Sequence, residues 1–170
     1  CHIPWDTDGP LPNELEKAIS EQHPALFYTI PTFQNPMGQT TTIQRRHELL
    51  EICRRHRIPI LEDDAYYELH YDGDRPPSMY ELDGGSGMVV RAGTFSKILG
   101  AGIRLGWILA SSSVADRILP LKADGGTSPF SSALATHFMQ NHMEQHIAEL
   151  QSIYRTRRDV MLEALDAHVG

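Results

Sequence analysis

The sequence predicts an α/β protein built around a largely parallel sheet. Two observations carry this reading. Short β-rich runs at residues 26–30, 58–61 and 88–92 are separated by segments long enough for crossover connections, and the first such segment holds a strong helical pattern. Strand, helix, strand at this spacing favours parallel pairing over hairpins. In sheets of this kind ligands gather beyond the carboxyl ends of the strands. Three polar clusters fall there: Gln34-Asn35-Pro36, Glu62-Asp63-Asp64 and Thr94-Phe95-Ser96-Lys97.

Taken in order, Pro10 and Pro12 lead into Asn13-Glu14-Leu15-Glu16-Lys17-Ala18-Ile19, a short amphipathic helix with Asn13 as its expected N-cap. Residues 26–30 read as a buried strand stopped by Pro31, and Gln34-Asn35-Pro36-Met37-Gly38 reads as a turn. Thr42 opens a helix running to about His56. Ile43, Arg46, Leu50 and Cys53, with Leu49 and Ile52 beside them, mark its apolar face. The basic run Arg54-Arg55-His56-Arg57, with Arg45-Arg46 upstream, reads as a solvated helix face. A strand at 58–61 ends in Glu62-Asp63-Asp64. Loops at 72–77 and 83–87 precede a third strand at 88–92 and a fourth at 105–110. From residue 131 the pattern is helical, with a long stretch over 143–169.

Composition narrows the function classes. The chain has 170 residues, 41% of them hydrophobic, and length alone predicts one domain with a sizeable core. Fifteen basic against twenty-two acidic residues give a net charge of −7, which argues against broad binding to nucleic acid or to an anionic membrane. The most apolar stretch, residues 98–110, is interrupted by Arg104 and is too short to span a bilayer. No charged-then-apolar leader is present. Two cysteines, Cys1 and Cys53, define no disulfide framework and are expected to be free thiols in a reducing compartment. The chain begins with Cys1, not Met, so a partial chain is expected.

The clusters admit more than one chemistry. Thr94-Phe95-Ser96-Lys97, followed by Gly100-Ala101-Gly102 and Arg104, suits a phosphate dianion held by hydroxyls, loop amides and a guanidinium. Lys97 in that company could form a Schiff base; the plain alternative is a solvated loop lysine and a surface arginine. Glu62-Asp63-Asp64-Ala65-Tyr66-Tyr67 could bind a divalent metal, hold a heterocyclic nitrogen protonated, or simply carry solubilising charge. Asn35-Pro36 is either a turn or a turn whose amide donates to a ligand oxygen. His142 and His146 share a helix face, but Glu144 is misplaced for a zinc-protease helix, and His137 adds nothing to that spacing.

The order of these motifs is more specific than any one of them. Asn35-Pro36-x-Gly38, Asp63-x-Ala65-Tyr66, Thr94-Phe95-Ser96-Lys97 and Arg104-Leu105-Gly106-Trp107 together resemble the pyridoxal-phosphate-dependent aminotransferases of fold type I, class I/II. Glu62-Asp63-Asp64-x-Tyr66-Tyr67 is most similar to the aminoadipate, kynurenine and aromatic aminotransferase branch, and Ile3-Pro4-Trp5-Asp6-x-x-Gly9 extends the likeness to the start of the chain.

The resemblance implies a three-layer α/β/α fold with a mostly parallel sheet, here as part of the family's large domain. Residues 1–142 would be the partial cofactor-binding domain, and 143–170 the start of the helix leading to a small domain. It implies pyridoxal 5'-phosphate as cofactor, carried on Lys97 as an internal aldimine, with Lys97 then serving as acid and base. Asp63 would pair with the pyridinium nitrogen, and Tyr66 and Asn35 would hydrogen-bond the ring oxygen. Thr94, Ser96 and Arg104 would anchor the phosphate. Strand alternation lets only one of Asp63 and Asp64 reach the ring; the motif, not the alternation, selects Asp63. The family's phosphate loop and stacking aromatic would lie upstream of this sequence and its carboxylate-gripping arginine downstream.

The activity implied is amino-group transfer from an amino acid to a 2-oxo acid, with 2-oxoglutarate as the expected acceptor, in a cytoplasmic homodimer. Two alternatives share the fold. One is the effector-sensing domain of a MocR-type transcription regulator, which would touch nucleic acid only through an upstream DNA-binding domain. The other is a pyridoxal-phosphate lyase.

Overall fold

The computed structural model describes residues 1–123 and 126–169, arranged as two compact units. The first unit comprises residues 1–65, 76–94 and the described part of 106–126. It opens with a small antiparallel pair, β1 (Trp5–Asp6) and β2 (Gly9–Pro10), followed by α1 (Pro12–Gln22). β3 (Phe27–Thr29), α2 (Ile43–His56), β4 (Ile60–Asp63), α3 (Met79–Asp83), β5 (Val89–Thr94), β6 (Gly106–Leu109) and α4 (Ser112–Ile118) complete it. The sheet order is β3-β4-β5-β6. The first two pairings are parallel and only β5–β6 is antiparallel, as an α/β chain with crossover helices requires.

Burial alternates along β3, β4 and the first half of β5. Phe27, Ile60 and Val89 point into a core completed by Leu15 and Ile19 of α1, Leu49, Leu50, Ile52 and Cys53 of α2, and Met79 of α3. Each such side chain contributes about 1.5–3 kcal/mol when fully withdrawn from water. Cys53 is a free thiol pushed up to about 12 by that burial; Cys1 is free and exposed. Tyr28 and Leu61 point to the other face, so the 26–30 run is buried on one side only, and Leu26 is exposed.

Three local expectations need correction. α1 starts at Pro12 with Leu11 as N-cap and no side-chain cap, so Asn13 lies inside the helix. Proline at the first helical position has its φ preset and no N–H to leave unpaired, which moves the start upstream of Asn13. In α2, Thr42 caps as expected by accepting from the Arg45 amide, but Ile43 is exposed. Arg46, expected on the same stripe, is fully buried. Arg46 donates through Nε to Thr41 O, through Nη1 to Pro77 O, and through Nη2 to Pro31 O and Thr32 Oγ1. Arg45 is not a solvated cation either: it pairs with Asp6 at 2.9 Å and holds the carbonyls of Gly9 and Pro10. The pair holds Asp6 below the usual carboxylate range.

β5 and β6 meet at a tight spot. Gly93 lies opposite Trp107, and a Cβ on Gly93 would stand 2.2 Å from Trp107 Cζ2. Gly93→Ala is therefore expected to cost at least about 2 kcal/mol by overpacking. A lower denaturation midpoint at unchanged cooperativity would show it; an unchanged midpoint would refute it.

The second unit comprises residues 66–75, 95–105 and the described part of 127–170. Its helices are α5 (Pro129–Asn141) and α6 (Met143–His168), the latter starting where the long helical stretch is expected. Short 3-10 turns occupy Tyr67–Leu69, Phe95–Lys97 and Ala101–Ile103. α6 grips the 66–75 segment: Gln151 donates to Glu68 O at 2.9 Å, Arg155 donates to Tyr71 O, and Arg158 pairs with Asp72. Among the described residues no helix is long and apolar enough to cross a membrane.

Candidate functional site

Within the first unit, β4 and β5 run in parallel with Asp63 beside Ala92, so Asp63 and Thr94 close the carboxyl ends of adjacent strands. Asn35 is exposed in the loop that leaves β3. That loop is held by Gln34, whose amide donates to Gln39 O and whose Oε1 accepts from Met37 N. It is braced at both ends by Arg46 through Pro31, Thr32 and Thr41.

The three acids of the 62–64 run part company, because consecutive strand residues face opposite ways. Glu62 is buried, accepting from the amides of Met79 and Tyr80 at 2.8 and 2.9 Å, where a carboxylate complements the start of α3. Burial pushes its carboxyl up, and those two amides pull it back. Asp64 is buried too and takes Arg91 Nε at 2.7 Å and Nη2 at 2.6 Å. Neither serves as solubilising charge. Asp63, partly exposed, stands on the other face and accepts from the Tyr28 hydroxyl at 2.7 Å.

Asp64 has a pH consequence. Burial first, and neighbouring Glu62 second, push its carboxyl from 3.8 up to about 7 against the pull of Arg91. The folded chain then holds a proton that the unfolded chain has released, so this contribution to stability falls as pH rises from about 4 to about 7, at up to about 1.4 kcal/mol per pH unit. Urea unfolding over that window should show the wild type losing stability relative to Asp64→Asn. A pH-independent difference would contradict it.

In the second unit, the Lys97 ammonium lies 5.5 Å from the centre of the Tyr66 ring, and Lys97 is exposed. Lys97 ends the 3-10 turn Phe95–Lys97, which is anchored by buried Phe95. The Phe95 amide donates to Leu105 O at 3.1 Å, and Phe95 O accepts from the amides of Leu99 and Gly100 at 2.8 and 3.1 Å. Gly100 sits at φ 146°, open to glycine. Arg104 is exposed in the left-handed region at φ 51°, uncommon for a side chain of its size, and donates to Ala101 O at 3.3 Å. Ser96 is partly exposed beside Lys97. His146 Nε2 lies 2.8 Å from Ile98 O, and since a carbonyl only accepts, the ring nitrogen donates and steadies the turn after Lys97. His137 and His142 stack edge to face at 5.5 Å.

Lys97 and Tyr66 are thus brought together in one unit, and Asp63 and Thr94 share a strand edge in the other. An amine beside an aromatic ring can carry an aldehyde, a strand-end carboxylate can hold an N–H, and hydroxyls with a guanidinium can hold a phosphate.

The family described as aminotransferase class I and II matches residues 8–170. The chain belongs to that family. This aminotransferase-family chain is 37% identical to an aromatic-amino-acid aminotransferase of Thermococcus litoralis, over 96% of its own length and 41% of the relative's. It is 34% identical to an uncharacterized HTH-type transcriptional regulator, YdfD, of Bacillus subtilis, over 98% of itself and 35% of that protein. Among solved structures, the α-aminoadipate aminotransferase LysN of Thermus thermophilus, complexed with N-(5'-phosphopyridoxyl)-L-leucine, superposes with a TM-score of 0.93. It is 31% identical, and the likeness covers 99% of this chain and 44% of that one. The chain spans 35% to 44% of the length of these relatives. Its fold is the α/β fold of the fold type I aminotransferases, with a mostly parallel sheet.

Sequence reasoning missed two contributors in this aminotransferase-family chain. Tyr28 reads as an ordinary strand residue; period-2 alternation places it on Asp63's face, but not at hydrogen-bond distance. Arg46 reads as half apolar-face, half basic run, and its carbonyl partners come from three separate stretches of chain. The stretch Asp124-Gly125-Gly126-Thr127-Ser128-Pro129, which the family resemblance puts near a shared site without giving it a role, includes Asp124 and Gly125, which lie outside the described residues.

Proposed function

We propose that the intact protein is a pyridoxal-phosphate-dependent aminotransferase that moves an amino group from an amino acid to a 2-oxo acid, with 2-oxoglutarate as acceptor. The observation that carries this reading is Lys97, exposed in a glycine-flanked turn with the Tyr66 ring 5.5 Å from its ammonium. Its support is membership of a family whose relatives bear aminotransferase names. The donor set fits the cofactor, since it offers an amine, a strand-end carboxylate, two hydroxyls and a guanidinium. When bound, pyridoxal phosphate supplies an electron sink for charge developing at the substrate's α-carbon.

The residues then divide the work. Lys97 Nζ would hold the cofactor's aldehyde carbon and, once the incoming donor amine has displaced it, would move the proton at the substrate α-carbon. Asp63 would keep the proton on the ring nitrogen. Tyr66 and Asn35 would donate to the ring oxygen, and Thr94, Ser96 and Arg104 would bind the phosphate. Residues 1–142 belong to a cofactor-binding domain, and 143–170 begin the helix toward a second one. The protein works as a homodimer in the cytoplasm.

The testing experiment mixes the intact protein with a panel of aminoadipate, aromatic and branched-chain donors. A change in the cofactor's visible absorbance, with 2-oxo acid released and 2-oxoglutarate required for turnover, is the expected result. Pyruvate and ammonia from a β-substituted amino acid, without any 2-oxo acid requirement, would make it a lyase and sink the reading. The likeness to YdfD favours a second reading, an effector-sensing domain of a transcription regulator. A helix-turn-helix segment in the intact protein, with operator binding altered by the cofactor and no turnover, would establish that one.

A further inference from the structure

We infer that Tyr28 is a positioning residue for Asp63, fixing its carboxylate by a hydrogen bond along the sheet face so that one oxygen is reserved for the cofactor's ring N–H. This rests on the proposed role of Asp63. The geometry that supports it lies wholly within the first unit.

β3 and β4 pair in parallel with Tyr28 beside Leu61. Asp63 lies two residues beyond Leu61 and so shares the face of Leu61 and Tyr28. The Tyr28 ring spans that diagonal and places its hydroxyl 2.7 Å from Asp63 Oδ2. Its strand neighbours Phe27 and Thr29 are buried on the opposite face, whereas Tyr28 is 51% exposed. The ring is thus not part of the apolar core. Its hydroxyl donates to the carboxylate at the carboxyl end of β4.

A carboxylate at a strand end rotates about its Cβ–Cγ bond unless something holds its plane. A phenol donating to Oδ2 holds it and leaves Oδ1 as the acceptor for a ring N–H. The next residue is pinned on the opposite face, where Asp64 grips Arg91 and its amide donates to Ala92 O at 2.8 Å. Backbone and side chain of Asp63 are therefore fixed by different partners. Tyr28 supplies the only side-chain hydrogen bond to Asp63 found among the described residues, and a bond to a charged acceptor is of the stronger kind.

The experiment compares intact wild type with Tyr28→Phe, Asp63→Asn and the double variant. Tyr28→Phe keeps the ring and its packing. Three readouts are taken: the dissociation constant of pyridoxal phosphate added to the apoprotein, kcat and KM for the amino donor, and the thermal midpoint. Tyr28→Phe is expected to weaken cofactor binding and lower kcat by about tenfold each, with donor KM and the apoprotein's thermal midpoint unchanged. Asp63→Asn should do more, and adding Tyr28→Phe to it should change nothing further, because Tyr28 acts through Asp63. The inference is overturned if Tyr28→Phe matches wild type while Asp63→Asn does not, or if its effect persists undiminished in the Asp63→Asn background. If Asp63→Asn itself leaves cofactor binding and kcat intact, the role of Asp63 falls and the Tyr28 inference falls with it.

Discussion

Lys97→Ala should leave a folded protein that has lost turnover by at least about three orders of magnitude, since no other side chain in the turn carries an amine to condense with an aldehyde. Lys97 is exposed and its turn is secured by Phe95, whose backbone is bonded to Leu105, Leu99 and Gly100. Stability is therefore expected to change by no more than about 0.5 kcal/mol, as for an ordinary surface substitution. Lys97→Arg sharpens the test. It keeps the cation over the Tyr66 ring but offers a guanidinium that stays protonated and does not condense with an aldehyde, so it should be as inactive as the alanine variant. Steady-state turnover, the visible absorbance of the cofactor-loaded protein and a denaturation curve are sufficient. Retention of both the visible band and turnover in Lys97→Ala would show that the amine is elsewhere.

The second large effect falls on stability. Arg46→Ala is expected to destabilise the protein by about 3–5 kcal/mol, because the buried guanidinium leaves a cavity and strands the groups it satisfied. Those groups are the carbonyls of Pro31, Thr41 and Pro77 and the Thr32 hydroxyl. They flank the loop carrying Asn35 and the entry to α3, so a loosened loop should also weaken cofactor affinity. Arg46→Lys should recover little, since one ammonium cannot reach partners spread over a planar fork. A urea midpoint for Arg46→Ala within error of wild type would show the guanidinium to be replaceable by water.

Local pattern was enough for much of this fold. The α2 helix, its Thr42 cap and the strand positions follow from periodicity and turn residues, because helix ends and pleats are satisfied by groups a few residues away. The ordered motifs around Asn35, Asp63, Tyr66, Thr94 and Lys97 were likewise readable in one dimension. Pattern failed at α1, where Pro12 outcompeted Asn13 for the helix start, and at Ile43, which hydrophobicity alone placed inside.

What the sequence by itself determined is the order of the four strands of the main sheet and of the longer helices α1, α2, α5 and α6, with the residue types waiting at the strand ends. Tertiary structure alone decided which charges are used and how. Arg46 is buried because carbonyls from distant loops converge on it, and Glu62 because α3 presents unpaired amides to it. Asp63 and Asp64 are chemically alike and adjacent, yet one meets Arg91 and the other the Tyr28 hydroxyl. Composition cannot distinguish them, because hydrogen bonding and desolvation depend on what lies across the sheet, and strand pairing brings residues 28 and 63 within 2.7 Å.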